Sequence, residues 1–174
     1  DVHAAPMLCA GLVGSRAWTM AGPARTVGLY GFGAAAHLIA QIAVAEGREV
    51  YAFTRPGDAA AQALARGLGA TWAGGSDEPA PVPLDAAILF APAGALVPVA
   101  LAATRPGGTV VCAGIHMTDI PSFPYRLLWR ERTLRSVANL TRGDGERFMA
   151  AAARVPLDVR AVPYAFERAN AALD

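Results

Sequence analysis

A doubly wound α/β fold on a mainly parallel, six-stranded sheet is what this sequence predicts, and three observations carry the prediction. Apolar runs of strand length alternate with helically periodic segments, the pattern of repeated βα units. The run Val27–Tyr30 passes directly into Gly31-x-Gly33-x-x-Ala36 and then into the helical spacing of Leu38, Ile39, Ile42 and Ala43. Such a strand–turn–helix joint is the kind that holds a pyrophosphate. Asp85–Ala91 is almost unbrokenly apolar, as strands are when helices cover both faces of their sheet.

The chain has 174 residues, of which 54% are hydrophobic and 17% charged. That is enough apolar material for one sizeable core and too little charge for a disordered segment. No apolar run reaches the ~20 residues of a membrane span. A net charge of +1, with arginines scattered rather than aligned along one face, offers no field for nucleic acid. All 15 basic side chains of the Lys and Arg class are arginine. The lysine on which a P-loop, a Schiff-base enzyme or a short-chain dehydrogenase depends is therefore missing. Cys9 and Cys112 form neither a C-x-x-C pair nor a disulfide framework, so a reducing cytoplasm is the expected compartment. The opening Asp1-Val2-His3 carries no initiator methionine and no signal-peptide pattern, as in an excised piece.

Residues 4–21 alternate small and apolar groups at helical spacing, with Pro6 in the first turn and Ala21-Gly22-Pro23 at the end, which predicts a helix ahead of the first strand. Cys9 stands near its start, where free N–H groups favour a thiolate; it is either a metal ligand or a small buried hydrophobe. In the joint that follows, Gly31 makes the turn, Gly33 admits a phosphate to the backbone, and Ala36 lets helix pack on strand. The N–H groups from Phe32 through Ala34 to Ala35 face the anion. The helix runs from about Ala34 to Glu46 and stops near Gly47.

The second strand, Val50–Phe53, ends at Thr54-Arg55-Pro56-Gly57. In NAD-preferring domains the carboxylate that takes the ribose hydroxyls stands at that tip. Glu49 precedes the strand and so lies roughly 15 Å from that tip at ~3.3 Å per residue. The hydroxyl of Thr54 and the guanidinium of Arg55 suit a 2′-phosphate instead, which favours NADP over NAD.

Asp58–Leu68 reads as the next helix, stopped at Gly69, with a short third strand around Ala70–Trp72. Gly74–Pro83, with prolines at 79, 81 and 83, reads as a loop in which Asp77 and Glu78 are solvated charges without a role. The fourth strand ends at Ala91-Pro92, on the side of the ligand crevice. A helix over 94–104 then leads through the turn signal Arg105-Pro106-Gly107-Gly108 into a strand over Thr109–Ile115. Cys112 points into the core on this reading. His116, at the carboxyl end of that strand, either touches a ligand or is a loop residue satisfied by backbone. The aromatic stretch Pro121–Arg132 covers the sheet or enters a subunit contact. Leu134–Leu140 alternates like an edge strand open to pairing in a homodimer. Helices over Glu146–Arg154 and from Phe166 to Leu173 follow.

Five stretches, Ala5-Pro6-Met7-Leu8-Cys9-Ala10-Gly11, Gly31-Phe32-Gly33, Leu68-Gly69-Ala70, Arg105-Pro106-Gly107-Gly108 and Leu134-Arg135-Ser136-Val137-Ala138-Asn139, are distributed over nearly all of the chain. Through them the chain resembles the medium-chain dehydrogenase/reductase family, in its zinc-dependent alcohol dehydrogenase branch. The resemblance implies a Rossmann-type coenzyme-binding domain over 1–174, with the helix over 4–21 leading in and the family's N-terminal catalytic domain absent. It implies that Cys9 is one protein ligand of a catalytic zinc in a full-length protein. Gly31, Phe32, Gly33, Ala34, Ala35 and Ala36 would then form the pyrophosphate turn, and Thr54 and Arg55 would face the adenosine ribose. Ala91 would line the adenine side, and Ala113, Ile115 and Asn139 would lie near the nicotinamide. The implied reaction is hydride transfer between NAD(P) and an alcohol or aldehyde, with no turnover by this chain alone. A zinc-free quinone or enoyl reductase of the same family and a non-catalytic NADP-sensing module are the alternatives. Two positions depart from the family pattern: Ala34 where many members have glycine, and Thr54 where an acidic residue is usual.

Overall fold

The computed structural model describes residues 2–173; Asp1 and Asp174, the two ends of the predicted domain, lie outside the described residues. Six strands form one sheet in the order β3-β2-β1-β4-β5-β6. They are β1 (Thr26–Tyr30), β2 (Glu49–Thr54), β3 (Trp72–Gly75), β4 (Leu84–Leu89), β5 (Thr104–Cys112) and β6 (Thr133–Ser136). Every neighbouring pair is parallel, which makes this the doubly wound Rossmann arrangement that the alternating pattern predicted. The order reverses between β1 and β4, and the crevice at their carboxyl ends is where such sheets take ligands.

The helices are α1 (Ala10–Ala21), α2 (Ala34–Ala45), α3 (Ala59–Gly67), α4 (Leu96–Ala103), α5 (Arg142–Ala152) and α6 (Ala169–Leu173). Among the described residues no helix is long and apolar enough to cross a membrane. One face of the sheet is packed with small side chains: Ala17 and Ala21 of α1 and Ala36, Ala40 and Ala43 of α2 lie fully or nearly buried against Val27, Leu29, Val50 and Ile88. Alanine at these positions lets helix and strand close without a void. The other face carries larger groups, with Tyr30, Phe53, Leu84, Leu89 and Val110 of the strands buried in one cluster with Val97 and Leu101 of α4. Alternate residues of β1 serve the two layers, as the period of a strand requires.

Several boundaries differ from the sequence reading. The helix expected over 4–21 is broken at Cys9: a 3₁₀ turn over Ala5–Leu8 precedes α1, and Cys9 is its N-cap. The third strand starts at Trp72 rather than Ala70, because the stop of α3 consumes the residues between. The Ala70 N–H donates to the Ala65 carbonyl at 3.0 Å and Gly69 holds φ +94°, the left-handed stop of a helix C-terminus. Gly74 and Gly75, expected in a loop, belong to β3. Glu78, expected to be merely solvated, accepts the Gly75 N–H.

Thr104 is already paired with Leu84, and the Arg105–Gly108 turn signal is carried as an irregularity within β5, the register resuming at Thr109 opposite Ala86. Cys112 is half-buried rather than in the core, and that partial burial pushes its thiol pKa up. The edge strand is β6 over Thr133–Ser136 alone, so Val137–Leu140 are not strand. In the aromatic stretch, Phe123, Leu127 and Leu128 pack on the large-residue face, while Tyr125 and Trp129 stay exposed. The fifth helix begins at Arg142, ahead of the expected Glu146, because Thr141 and Asp144 form a capping box. Reciprocal bonds of that kind outweigh the low helix propensity of Gly143 and Gly145.

Candidate dinucleotide site

The turn after β1 is fixed from both sides. Gly31 donates its N–H to the Phe53 carbonyl of β2 at 2.8 Å, while Phe90 and Ala91 donate theirs to the Tyr30 carbonyl at 2.8 and 3.0 Å. Gly31 holds φ +88°, and a Cβ there would lie 2.7 Å from the Ala91 nitrogen and 2.8 Å from its Cβ. Only glycine meets both conditions. Gly33, the N-cap of α2, offers no side-chain cap, and a Cβ built on it meets nothing within 4 Å. The first N–H groups of α2 therefore open on free space, where their partial positive charge and the helix dipole favour an anion.

These groups line a cleft of about 820 Å³ at the carboxyl ends of the strands, within the size range of small-molecule sites. Gly31, Phe32, Gly33, Ala34, Ala35, Thr54, Arg55, Ala91, Ala113 and Ile115 all lie on its lining, as does Cys9. Ala36 does not; it is fully buried in the first turn of α2, against the sheet. Asn139 is also off the lining, exposed beyond β6 with φ +59°. His116 is exposed with φ +56° and does not line the cleft.

At the tip of β2, Thr54 and Arg55 divide into two different roles. Thr54 is 3% exposed. Its hydroxyl lies 2.9 Å from the Arg55 carbonyl and 3.2 Å from the Gly74 carbonyl, and it accepts the Gln62 side-chain amide at 3.2 Å. That hydroxyl ties β2 to β3 and α3. Arg55 is exposed and, among the described residues, its guanidinium makes no hydrogen bond or ion pair. Among the described residues it is the only cation on the cleft lining, and Asp58 is the only anion. The Asp58 carboxylate accepts the Ala61 N–H at 3.0 Å as the N-cap of α3. Glu49 sits at the opposite end of β2, paired with Arg25 at 2.7 Å, as its place in the sequence required.

Sequence reasoning missed two residues of α2. His37 is 4% exposed, with Nδ1 3.3 Å from the Gly33 carbonyl and Nε2 3.5 Å from the Arg160 N–H. Gln41 donates to the Asp158 carbonyl at 3.2 Å and accepts the Asp158 N–H at 2.7 Å. Together they fasten the segment after α5 to the helix beneath the cleft. Their signal was a pair of polar residues four apart on an otherwise apolar helix, one turn after the glycines.

No protein-family model matches the chain. The probable alcohol dehydrogenase AdhA of Mycobacterium tuberculosis is 46% identical over 176 aligned positions, covering 99% of this chain and 50% of that protein. The chain spans about half the length of the curated relative it matches. Among solved structures, acetophenone reductase from Geotrichum candidum, in complex with NAD, superposes with a TM-score of 0.85 at 21% identity, over 98% of this chain and 50% of that one. A cinnamyl alcohol dehydrogenase from Sorghum bicolor gives 0.80 at 22% identity, over 99% and 51%. A thermostable alcohol dehydrogenase from Pyrobaculum aerophilum gives 0.75 at 22% identity, over 88% and 47%. In sequence and in fold, the chain is thus similar to one half of the alcohol dehydrogenases of the medium-chain dehydrogenase/reductase family.

Proposed function

We propose that residues 1–174 are the NADP-binding domain of an alcohol dehydrogenase that moves a hydride between the nicotinamide and an alcohol or aldehyde. The observation that carries this reading is the joint after β1, where Gly31 is pressed onto Ala91 and Gly33 leaves open space before an uncapped helix start. A pyrophosphate fits that space, held by the N–H groups of Ala34 and Ala35. When bound, the dinucleotide supplies the hydride chemistry. The chain's own residues bind and orient it. Arg55 offers a forked guanidinium to a 2′-phosphate, Ala91 stands beside the adenosine end of the cleft, and Ala113 and Ile115 stand at the end reached by β5. The support for NADP over NAD rests on Arg55; the Thr54 hydroxyl is already committed to backbone and to Gln62.

A catalytic zinc does not fit this chain alone. Among the described residues no group of three or more His, Cys, Asp or Glu side chains could hold a metal ion, whereas such a zinc takes about three protein ligands. Cys9, exposed on the cleft at the start of α1, supplies one sulfur, and the remaining ligands come from outside these residues. The chain alone is accordingly expected to bind dinucleotide without turning over alcohol. The exposed outer edge of β6 is the surface for a homodimer, and the cytoplasm is the compartment that suits two free thiols.

The test is a titration of the 174-residue chain with NADPH and with NADH, followed by energy transfer from its tryptophans. NADPH is expected to bind the tighter, and Arg55→Ala to cut its affinity about tenfold, the size of one charge-assisted contact, while leaving NADH unchanged. Equal binding of the two, or indifference of NADPH to Arg55→Ala, refutes the assignment of NADP.

A further inference from the structure

The large-residue face of the sheet is not closed across its whole width. Parallel strands are usually joined through a helix or a dozen residues, yet β3 reaches β4 through residues 76–83 with no helix. Pro79, Pro81 and Pro83 hold that segment extended. With Val99 and Ala102 of α4 it lines an open groove of about 980 Å³. The groove shares only Ser76 with the lining of the dinucleotide cleft.

Tyr30 borders this groove while being 1% exposed. Its ring stacks on Phe53 with centroids 4.2 Å apart and planes 4° from parallel. It leans back over Gly28, where a Cβ would lie 3.2 Å from Tyr30 Cε2, away from the cleft. Among the described residues its hydroxyl has no hydrogen-bond partner. Among the described residues the hydroxyl is not one of the fully enclosed unpaired groups, so it opens on the groove, and the stack on Phe53, which phenylalanine would make as well, does not account for the phenol. Burial also pushes its pKa well up, which keeps the group a neutral donor.

Of the charges around the groove, Arg105 is engaged by Asp85, Arg132 donates to the carbonyls of Thr104 and Trp129, Glu78 takes the Gly75 N–H, and the exposed Asp77 carboxylate has no partner among the described residues. An anion would have to displace Asp85 from Arg105 and would face Asp77, and a cation would gain only a solvent-screened pair with Asp77. We propose that the groove is a second small-molecule site, taking an uncharged, largely apolar ligand whose one hydrogen-bond acceptor meets the Tyr30 hydroxyl.

Quinoline and naphthalene test this, because they share a shape and differ by one acceptor nitrogen. The isotope-labelled 174-residue chain is titrated with each and followed by amide chemical shifts. Quinoline is expected to shift the amides of Ala80, Val82, Val99 and Ala102 and to bind several-fold tighter than naphthalene, the preference that one neutral hydrogen bond gives. Tyr30→Phe should erase the preference without lowering the melting temperature, and Ala102→Trp, which fills the groove from an exposed position, should abolish binding of both. Shifts confined to the dinucleotide cleft, no saturable shifts at all, or an unchanged preference in Tyr30→Phe overturn the proposal.

Discussion

Replacing Gly31 by alanine should separate the two demands made on the phosphate turn. The backbone there is at φ +88°, and the new Cβ would sit 2.7 Å from the Ala91 nitrogen. The left-handed conformation costs about 1–2 kcal/mol for a residue with a Cβ. Displacing Ala91 adds about 1–3 kcal/mol of overpacking, because its N–H is tied to the Tyr30 carbonyl and cannot retreat freely. The stiffer unfolded chain returns about 0.4–1 kcal/mol, leaving a net loss of about 2–4 kcal/mol. For a domain of this size that is a fall in melting temperature of about 5–15 °C. Gly33→Ala is the control. Its φ is −106° and its Cβ would meet nothing within 4 Å, so its stability should stay near that of the wild type while NADPH affinity falls at least tenfold. Thermal melts and NADPH titrations of both variants decide the matter. If Gly31→Ala melts with the wild type, the approach to Ala91 is not the constraint argued here; if Gly33→Ala binds NADPH undiminished, the open space is not where the phosphate lies.

Three further outcomes follow from contacts away from the turn. The Thr141 backbone N–H and hydroxyl, with Arg16 and Arg147 nearby, hold the Asp144 carboxyl down at about 2. A depressed carboxyl stabilises the fold above its unfolded pKa of ~3.9 and loses that contribution as pH falls through its folded value. The urea midpoint should therefore drop between pH 4 and pH 2, and less steeply in Asp144→Asn, where Asp85, also held at about 2 by Arg105 and by the Thr26 and Arg25 N–H groups against its burial, keeps part of the slope. Asp58→Ala removes the side-chain cap of α3 and should cost about 1 kcal/mol by urea denaturation. Phe148→Ala empties a fully buried site beside Ile39 and Ile42 and should cost about 3–5 kcal/mol, measured the same way.

The sheet and its ligand crevice were legible because both depend on local patterns. A nearly unbroken apolar run at 85–91 between turn signals points to a covered strand, which β4 is as far as Leu89, and the spacing of Gly31, Gly33 and Ala36 turns a strand into a helix through local backbone geometry alone. What was not legible depended on partners distant in sequence. The alternation of 134–140 predicts an edge strand reaching Leu140, but β6 pairs with β5 only as far as Ser136 opposite Cys112. The family resemblance puts Asn139 near the nicotinamide; in the structure it lies beyond the end of β6 and off the lining of the cleft. Gly143 and Gly145 disguised the start of α5, whose stability comes from Thr141 and Asp144 rather than from propensity. The roles of His37 and Gln41 could not be read at all, since their partners at 158–160 are more than a hundred positions away.

The tip of β2 shows the same limit at the level of one side chain, and it bears on how coenzyme preference could be changed. In sequence, Thr54 and Arg55 are two adjacent polar groups at the place where an acid would select NAD. In the structure, the Thr54 side chain is turned inward among carbonyl oxygens. A carboxylate put there would face the carbonyls of Gly74 and Arg55, which now lie within hydrogen-bonding distance of a donor, and would be desolvated beside them. Thr54→Asp should therefore destabilise the chain by about 1–3 kcal/mol, the cost of unpaired buried acceptors, and should leave NADH binding unimproved. On the proposed function, coenzyme preference is expected to follow Arg55, whose guanidinium is exposed, and not its buried neighbour. A Thr54→Asp variant as stable as the wild type and tighter for NADH would show that the side chain can turn outward into the cleft, and the division of roles between the two residues would fail.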